Sequence, residues 1–251
     1  MPPDLPIIII IIALGACFGS FITAASWRLP RNEDAVAGAS KCPKCGTRLG
    51  FFDLFPVFSW LFNRGKCRYC KVRISPRYVL TEIGTALVFL GLYEKYGLSG
   101  QFWILALLAT SLLIMIISDF ETYIMPDSTT IAAFILALAY HYLYSPAWND
   151  YLLGFVACLV VALLLRYGFY LVRKREGLGM GDVKFLPVAG LWVGFGILPL
   201  YFVIAGMLGI ITGIIWKLIF KNPEYPFGPA LAVGMFVLVI FPEIGFLLHL
   251  K

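Results

Sequence analysis

The chain has 251 residues, of which 61% are hydrophobic, 16% aromatic and only 14% charged, with a formal net charge of +6. A soluble surface carries far more charge, so an ordinary soluble domain is excluded and a polytopic membrane protein is implied. The positive balance alone suits either nucleic acid or anionic lipid, so the placement of the charge decides between them.

The opening Met1-Pro2-Pro3-Asp4 lacks the basic segment of a cleaved signal peptide, and the apolar run behind it is too long for one. A retained first span is therefore expected. Leu5 to Trp27 is uncharged over 23 residues, which at about 1.5 Å per residue crosses a roughly 30 Å hydrocarbon core. Arg28 to Arg77 is different material: polar, basic and turn-rich. Val79 to Tyr93 reads as a second span with Glu82 near its start, an acid either at the lipid edge or in contact with substrate. Tyr96 to Ser118 gives a third span, Asp119 to Asp127 a short polar link, and Ser128 to Asn149 contains a fourth. Tyr151 to Val172 is a fifth, with Arg166 able to snorkel toward one edge. Phe185 to Trp216 is too long for one ordinary span, and Gly194, Gly196 and Pro199 split it into two short helices. Tyr225 to Leu248 is the last span.

The expected fold is an all-α polytopic membrane protein with about eight transmembrane helices. Residues 1–27 form the first helix, 28–78 a small cysteine-rich loop domain, and 79–251 a helical bundle. With the N-terminus outside, all but Lys95 and Lys251 of the 20 Lys and Arg fall on one side, which the positive-inside rule makes cytoplasmic. Insertion thus accounts for the basic residues, so membrane lipid is the expected partner and nucleic acid is not. The same orientation places Asp119 and Asp182 at the cytoplasmic membrane edge.

Cys17 and Cys158 lie singly in apolar tracts and read as core packing residues. Cys42-Pro43-Lys44-Cys45 and Cys67-Arg68-Tyr69-Cys70 are two C-x-x-C pairs, a spacing that offers four thiolates to tetrahedral zinc. Disulfides or a redox dithiol are disfavoured in a reducing cytoplasm. A closed four-sulfur site has no open position, so the metal holds the loop and does not hydrolyse.

Gly179-Met180-Gly181-Asp182 follows the basic run Arg173-Lys174-Arg175, and its glycines let backbone or substrate approach the acid closely. Acids at the ends of membrane helices are functional candidates. Asp119 read blandly is an edge acid in water, and Asp182 read blandly is a helix cap. Asp127 in Pro126-Asp127-Ser128-Thr129 reads as an N-cap. Paired, Asp119 and Asp182 would share a proton, one acting as general base on a water while the other protonates a scissile carbonyl.

Together these residues resemble the type IV prepilin peptidases, membrane aspartic proteases of the G-x-G-D class. The likeness runs through Gly19-Ser20-Phe21, Arg28-Leu29-Pro30, both cysteine pairs, Pro56-Val57-Phe58-Ser59-Trp60-Leu61 and Arg64-Gly65-Lys66. It continues in Ile74-Ser75-Pro76-Arg77-Tyr78, Glu82, Asp119, Ile124-Met125-Pro126-Asp127 and Gly179-Met180-Gly181-Asp182-Val183-Lys184. One departure is Thr23-Ala24-Ala25-Ser26-Trp27, where the family usually carries an asparagine. The resemblance implies catalysis by Asp119 and Asp182, with Gly179, Gly181 and Asp127 in support, and structural zinc at Cys42, Cys45, Cys67 and Cys70. It implies prepilin or pseudopilin substrates cut after a glycine at the cytoplasmic face of a bacterial inner membrane. It further implies methylation of the new N-terminal amine by S-adenosylmethionine, with Gly65 and Lys66 as candidates for the donor's site. The alternatives are a proton- or cation-coupled transporter with a zinc-binding regulatory loop, and a non-enzymatic assembly factor. The oligomeric state is left open.

Overall fold

The structure, a computed structural model, describes residues 5–35, 38, 40–145, 148–174, 177–221 and 225–247. Met1-Pro2-Pro3-Asp4, Arg175 of the basic run, Leu248 and Lys251 lie outside the described residues. Within them the regular structure is helical, apart from two isolated bridges in the cysteine loop. In chain order come α1 (Leu5–Arg28), α2 (Phe58–Phe62), α3 (Arg77–Tyr96), α4 (Gly100–Thr122) and α5 (Asp127–Tyr144). They are followed by α6 (Trp148–Arg173), α7 (Met180–Val193), α8 (Leu198–Phe220), α9 (Gly228–Ile240) and the short α10 (Glu243–Leu247). The chain divides into two compact units, Met1–Ile114 and Met115–Lys251, with the boundary inside α4.

In the first unit α1 packs on α3. A Cβ on Gly15 would stand 2.7 Å from the Ala86 Cα, and one on Gly19 2.5 Å from the Glu82 Cα. The two helix backbones therefore touch at a small-x-x-x-small crossing, which is how membrane helices gain packing without a hydrophobic driving force. The buried stripe of α1 runs through Ile11, Gly15, Ala16, Gly19 and Ile22. Cys17 falls off that stripe and is exposed, which corrects its reading as a packing residue. In the segment that departs from the family pattern, the Thr23 hydroxyl donates to the Ser20 carbonyl (2.8 Å) and Ser26 to Thr23 (3.2 Å). Both buried hydroxyls are thereby satisfied within the helix.

The second unit is built around α7, buried along nearly its whole length and packed by α5, α6 and α9, with α8 against α9. The α6–α7 crossing is made at Gly154 and Gly190, where each glycine's missing side chain is replaced by the other's carbonyl oxygen. Cys158 is buried beside Gly190. The expected break in the long apolar tract is present: α7 stops at Val193 because Gly194 takes φ 84, and α8 starts at Leu198 with a proline in its first turn. The last tract needs correction. Its helix ends at Ile240, because Pro242 lacks an N–H and biases Phe241 away from helical dihedrals.

Among the described residues four helical segments are long and apolar enough to cross a membrane: Leu5–Arg31, Gly100–Thr122, Trp148–Val172 and Phe195–Phe220. Their apolar side chains face outward over long stretches, such as Leu164 on α6 and Ile210, Ile214 and Leu218 on α8. That pattern belongs to a membrane protein, whose solvent is lipid. The eight-span reading needs α3, α5, α7 and α9 as well. Of these, α7 and α9 are too short at 14 and 13 residues to cross on their own, and both are enclosed by neighbouring helices.

Candidate active site

Asp119 lies in the last turn of α4 and not in a polar link, because no breaker comes before Tyr123. Tyr123 takes φ 55 and its N–H closes on the Asp119 carbonyl at 3.0 Å. The Ser118 hydroxyl donates to the Ile124 carbonyl (2.6 Å), folding the turn before α5 back onto α4. Asp119 is 6% exposed, and its Oδ2 accepts the N–H of Gly228, the first residue of α9, at 3.1 Å.

Asp182 stands in the first turn of α7 and is 9% exposed. It is not an N-cap: that position belongs to Gly179, whose backbone bonds to the Asp182 carboxyl from one helical turn back. The Asp182 Oδ1 is buried with no hydrogen-bond partner. Asp119 and Asp182, on separate helices, are both buried, and the glycines beside them, Gly228 and Gly181, both close on Met125.

The supporting glycines are there for space. A Cβ on Gly181 would sit 2.9 Å from the Met125 Sδ, and one on Gly179 3.1 Å from Asp182 Oδ2. On Gly228 it would meet Asp119 Oδ2 at 2.8 Å and Met125 Sδ at 2.9 Å. The Met125 thioether is thus a wedge between the backbone that carries Asp182 and the backbone whose N–H holds Asp119. Gly209 and Gly213 of α8 face the rings of Phe227 and Tyr225, and Phe120 stacks on Trp216 with centroids 5.7 Å apart.

Asp127 opens α5, but the N-cap is Pro126 and no side-chain cap bond forms. The N-cap reading is corrected: both Asp127 oxygens accept from Lys184 Nζ, at 2.7 and 2.8 Å, tying the start of α5 to α7. Arg166 Nη1 donates to the Leu178 carbonyl (2.8 Å), in the loop that leads to Gly179. Gly228 went unnoticed in the sequence. The available signal was Phe227-Gly228-Pro229, a glycine placed immediately before a proline at the first turn of a helix.

In the first unit the four loop cysteines converge, with all four Sγ atoms within 4.8 Å of one another. Two copies of one turn build the cluster. Gly46 N–H bonds to the Cys42 carbonyl at 2.9 Å, and Lys71 N–H to the Cys67 carbonyl at 3.0 Å. Gly46 and Lys71 both take the left-handed conformation, φ 69 and φ 59, and the bridges Lys41 to Arg48 and Lys66 to Arg73 close the two turns. Hydrogen bonding with Thr47 (3.3 Å) draws the Cys45 thiol down to about 6, toward the thiolate that metals bind. Such a cluster is able to hold a metal ion.

Gly65 adopts φ 67 against the Trp60 ring, where a Cβ would come to 2.8 Å. The Lys66 N–H bonds to the Asn63 carbonyl (3.1 Å) and its side chain is exposed. Glu82 is at neither a lipid edge nor a free surface. It is 7% exposed and accepts the N–H of Val57 at 2.7 Å.

Comparison with known proteins agrees with this division. The model of the type IV leader peptidase family matches residues 106–214, which hold both acids, and that of the bacterial peptidase A24 N-terminal domain matches residues 13–96. A prepilin leader peptidase/N-methyltransferase of Pseudomonas putida is 32% identical over 92% of this chain and 89% of its own. The chain belongs to the type IV leader peptidase family. Relatives of the same description from Pectobacterium carotovorum (31% identical, 88% of each chain) and Pseudomonas aeruginosa (32%, 92% of this chain and 89% of the relative) agree. No solved structure matches the chain.

Proposed function

We propose that this protein removes the basic leader peptide from type IV prepilins or pseudopilins, using Asp119 and Asp182 as its catalytic pair, and then N-methylates the new terminal amine. The observation that carries the reading is a pair of buried acids flanking Met125, one held by the Gly228 N–H and the other with an unpartnered oxygen. In this reading Asp119, which accepts the Gly228 N–H, acts as base on a water. Asp182 holds the proton and gives it to the scissile carbonyl oxygen. Water attack forms a tetrahedral centre, and return of a proton to the leaving nitrogen expels the new amine. Gly179, Gly181 and Gly228 keep side chains out of the site, and the Asp127–Lys184 tie holds α5 and α7 in register beside it.

Zinc fits the four cysteines. Tetrahedral Zn–S bonds of about 2.3 Å require sulfurs about 3.8 Å apart, close to the 3.9 Å between Cys42 Sγ and Cys70 Sγ. Bound there it braces the loop. The full arrangement we propose is eight spans with the N-terminus outside, the acids at the cytoplasmic face of a bacterial inner membrane, and the partition 1–27, 28–78 and 79–251. A prepilin, a basic leader followed by an apolar helix, then lies in the bilayer with its scissile bond at the level of the acids. S-adenosylmethionine supplies the methyl group.

The test is incubation of the purified protein with a synthetic prepilin, with and without S-adenosylmethionine, read by mass spectrometry. Leader loss in both samples and one added methyl only with the donor are expected. An intact precursor would overturn the peptidase reading.

A further inference from the structure

We propose that α2 and the apolar residues before it are a membrane-surface element: they lie in the leaflet at the Arg28 end of α1 and contact anionic phospholipid. The proposal concerns lipid alone and holds whichever reaction the acids perform. It starts from an exposed face. Phe58, Leu61 and Phe62 stand at i, i+3 and i+4, so they share one side of α2, and they are 53%, 55% and 83% exposed. Leu54 and Phe55, just before the helix, are exposed too, and the Phe55 and Phe58 rings meet with centroids 5.7 Å apart. Trp60 is turned the other way: its Nε1 donates to the Ile74 carbonyl (3.2 Å) and its ring covers Gly65. A joined apolar patch outside the spanning helices marks a docking surface.

Depth identifies what covers it. The Glu82 carboxylate accepts the Val57 N–H at 2.7 Å, and the Glu82 Cα faces Gly19 of α1. At about 1.5 Å per residue Gly19 lies about 13 Å inside the Arg28 end of α1, within the uncharged stretch that crosses the bilayer. A helical side chain leans toward the start of its helix, and a full turn of such reach is about 5.4 Å. Val57 therefore stands about 8 Å deeper than Arg28, level with the last two turns of α1. At that level the solvent of an exposed phenylalanine is lipid.

The placement is also enforced. Val57 takes φ 62 and ψ −52, a conformation that a β-branched residue avoids. It persists only where the surroundings over-determine it. The buried Glu82 carboxylate does so, holding the start of α2 against the α1–α3 pair. Charge then selects the lipid. Residues 28–77 carry 11 Lys and Arg against 3 acids, and Arg64, Lys66 and Arg68, directly behind Phe62, are exposed. Aromatic rings settle at the headgroup level and basic side chains against anionic headgroups. A second copy of this chain would bring the same positive charge against itself.

The experiment uses the full chain at one copy per nanodisc in phosphatidylethanolamine and phosphatidylglycerol. The bilayer includes a phosphatidylglycerol whose upper acyl chain carries a photoactivatable diazirine. After irradiation, trypsin releases residues 49–64 as one peptide, and mass spectrometry measures its lipid adducts. Adduct yield per residue is expected within fivefold of that on the α1 peptide. Phe58→Ser combined with Phe62→Ser is expected to lower it at least threefold. Elution and thermal melting like the wild type are the fold control, and Phe62→Ser alone replaces the double variant if that fails. A wild-type yield more than fivefold below α1, or a smaller fall in the folded variant, overturns the proposal and leaves the patch to a protein partner.

Discussion

Gly228→Ala reaches the acid pair without altering either acid. The added Cβ would lie 2.8 Å from Asp119 Oδ2 and 2.9 Å from Met125 Sδ. To regain ordinary contact the carboxylate must move by about half an ångström, which lengthens the 3.1 Å bond from the Gly228 N–H. A hydrogen bond to a charged group contributes roughly 1.5–3 kcal/mol, so its weakening should cost roughly 1–2 kcal/mol of transition-state stabilisation. That corresponds to a fall in kcat of roughly 5- to 30-fold, with KM little changed because the substrate's other contacts are intact. Overpacking by one methyl costs about 1–3 kcal/mol of stability as well, so a thermal melt must accompany the kinetics. The assay is the initial rate of leader removal in detergent at saturating precursor. A folded Gly228→Ala protein with wild-type kcat would refute the placement of Asp119 in the reacting centre.

Other outcomes follow from the same geometry. Cys42→Ser combined with Cys45→Ser should release bound metal and raise protease sensitivity in the loop; unchanged zinc content by atomic emission would contradict the assignment. Lys184→Ala removes an ion pair whose side chains are 47% and 62% exposed, so it should lower stability by no more than about 1 kcal/mol. A melting shift far beyond a few degrees would show that the tie carries more than its exposure allows. Gly19→Leu drives a side chain into the Glu82 backbone; separation of α1 from α3 should cost roughly 1–3 kcal/mol or more, seen as lost expression or early melting.

Much of the helical layout was legible because lipid-facing helices need long uncharged tracts, and the tract break at Gly194 to Pro199 is visible as residue types that end helices. The cysteine cluster was equally plain, since two C-x-x-C turns of the same pattern have few uses besides holding a metal. Local signals failed where a tertiary partner took over. Asp127 has the sequence position of a cap, but Lys184, 57 residues away, claims its carboxylate. Cys17 was misplaced because a uniformly apolar helix gives no indication of which face is buried. Gly228 is the clearest case: no periodicity announces that a backbone N–H 109 residues from Asp119 will meet it. Pro242 is legible as a helix breaker even within its apolar stretch.

The most direct measurement is leader cleavage by Asp119→Asn and Asp182→Asn, each purified from membranes and shown to insert and melt like the wild type. An isosteric amide keeps the packing and removes the proton-carrying group. Both proteins should leave the precursor uncut over times in which the wild type finishes. Substantial cleavage by either one would contradict the account.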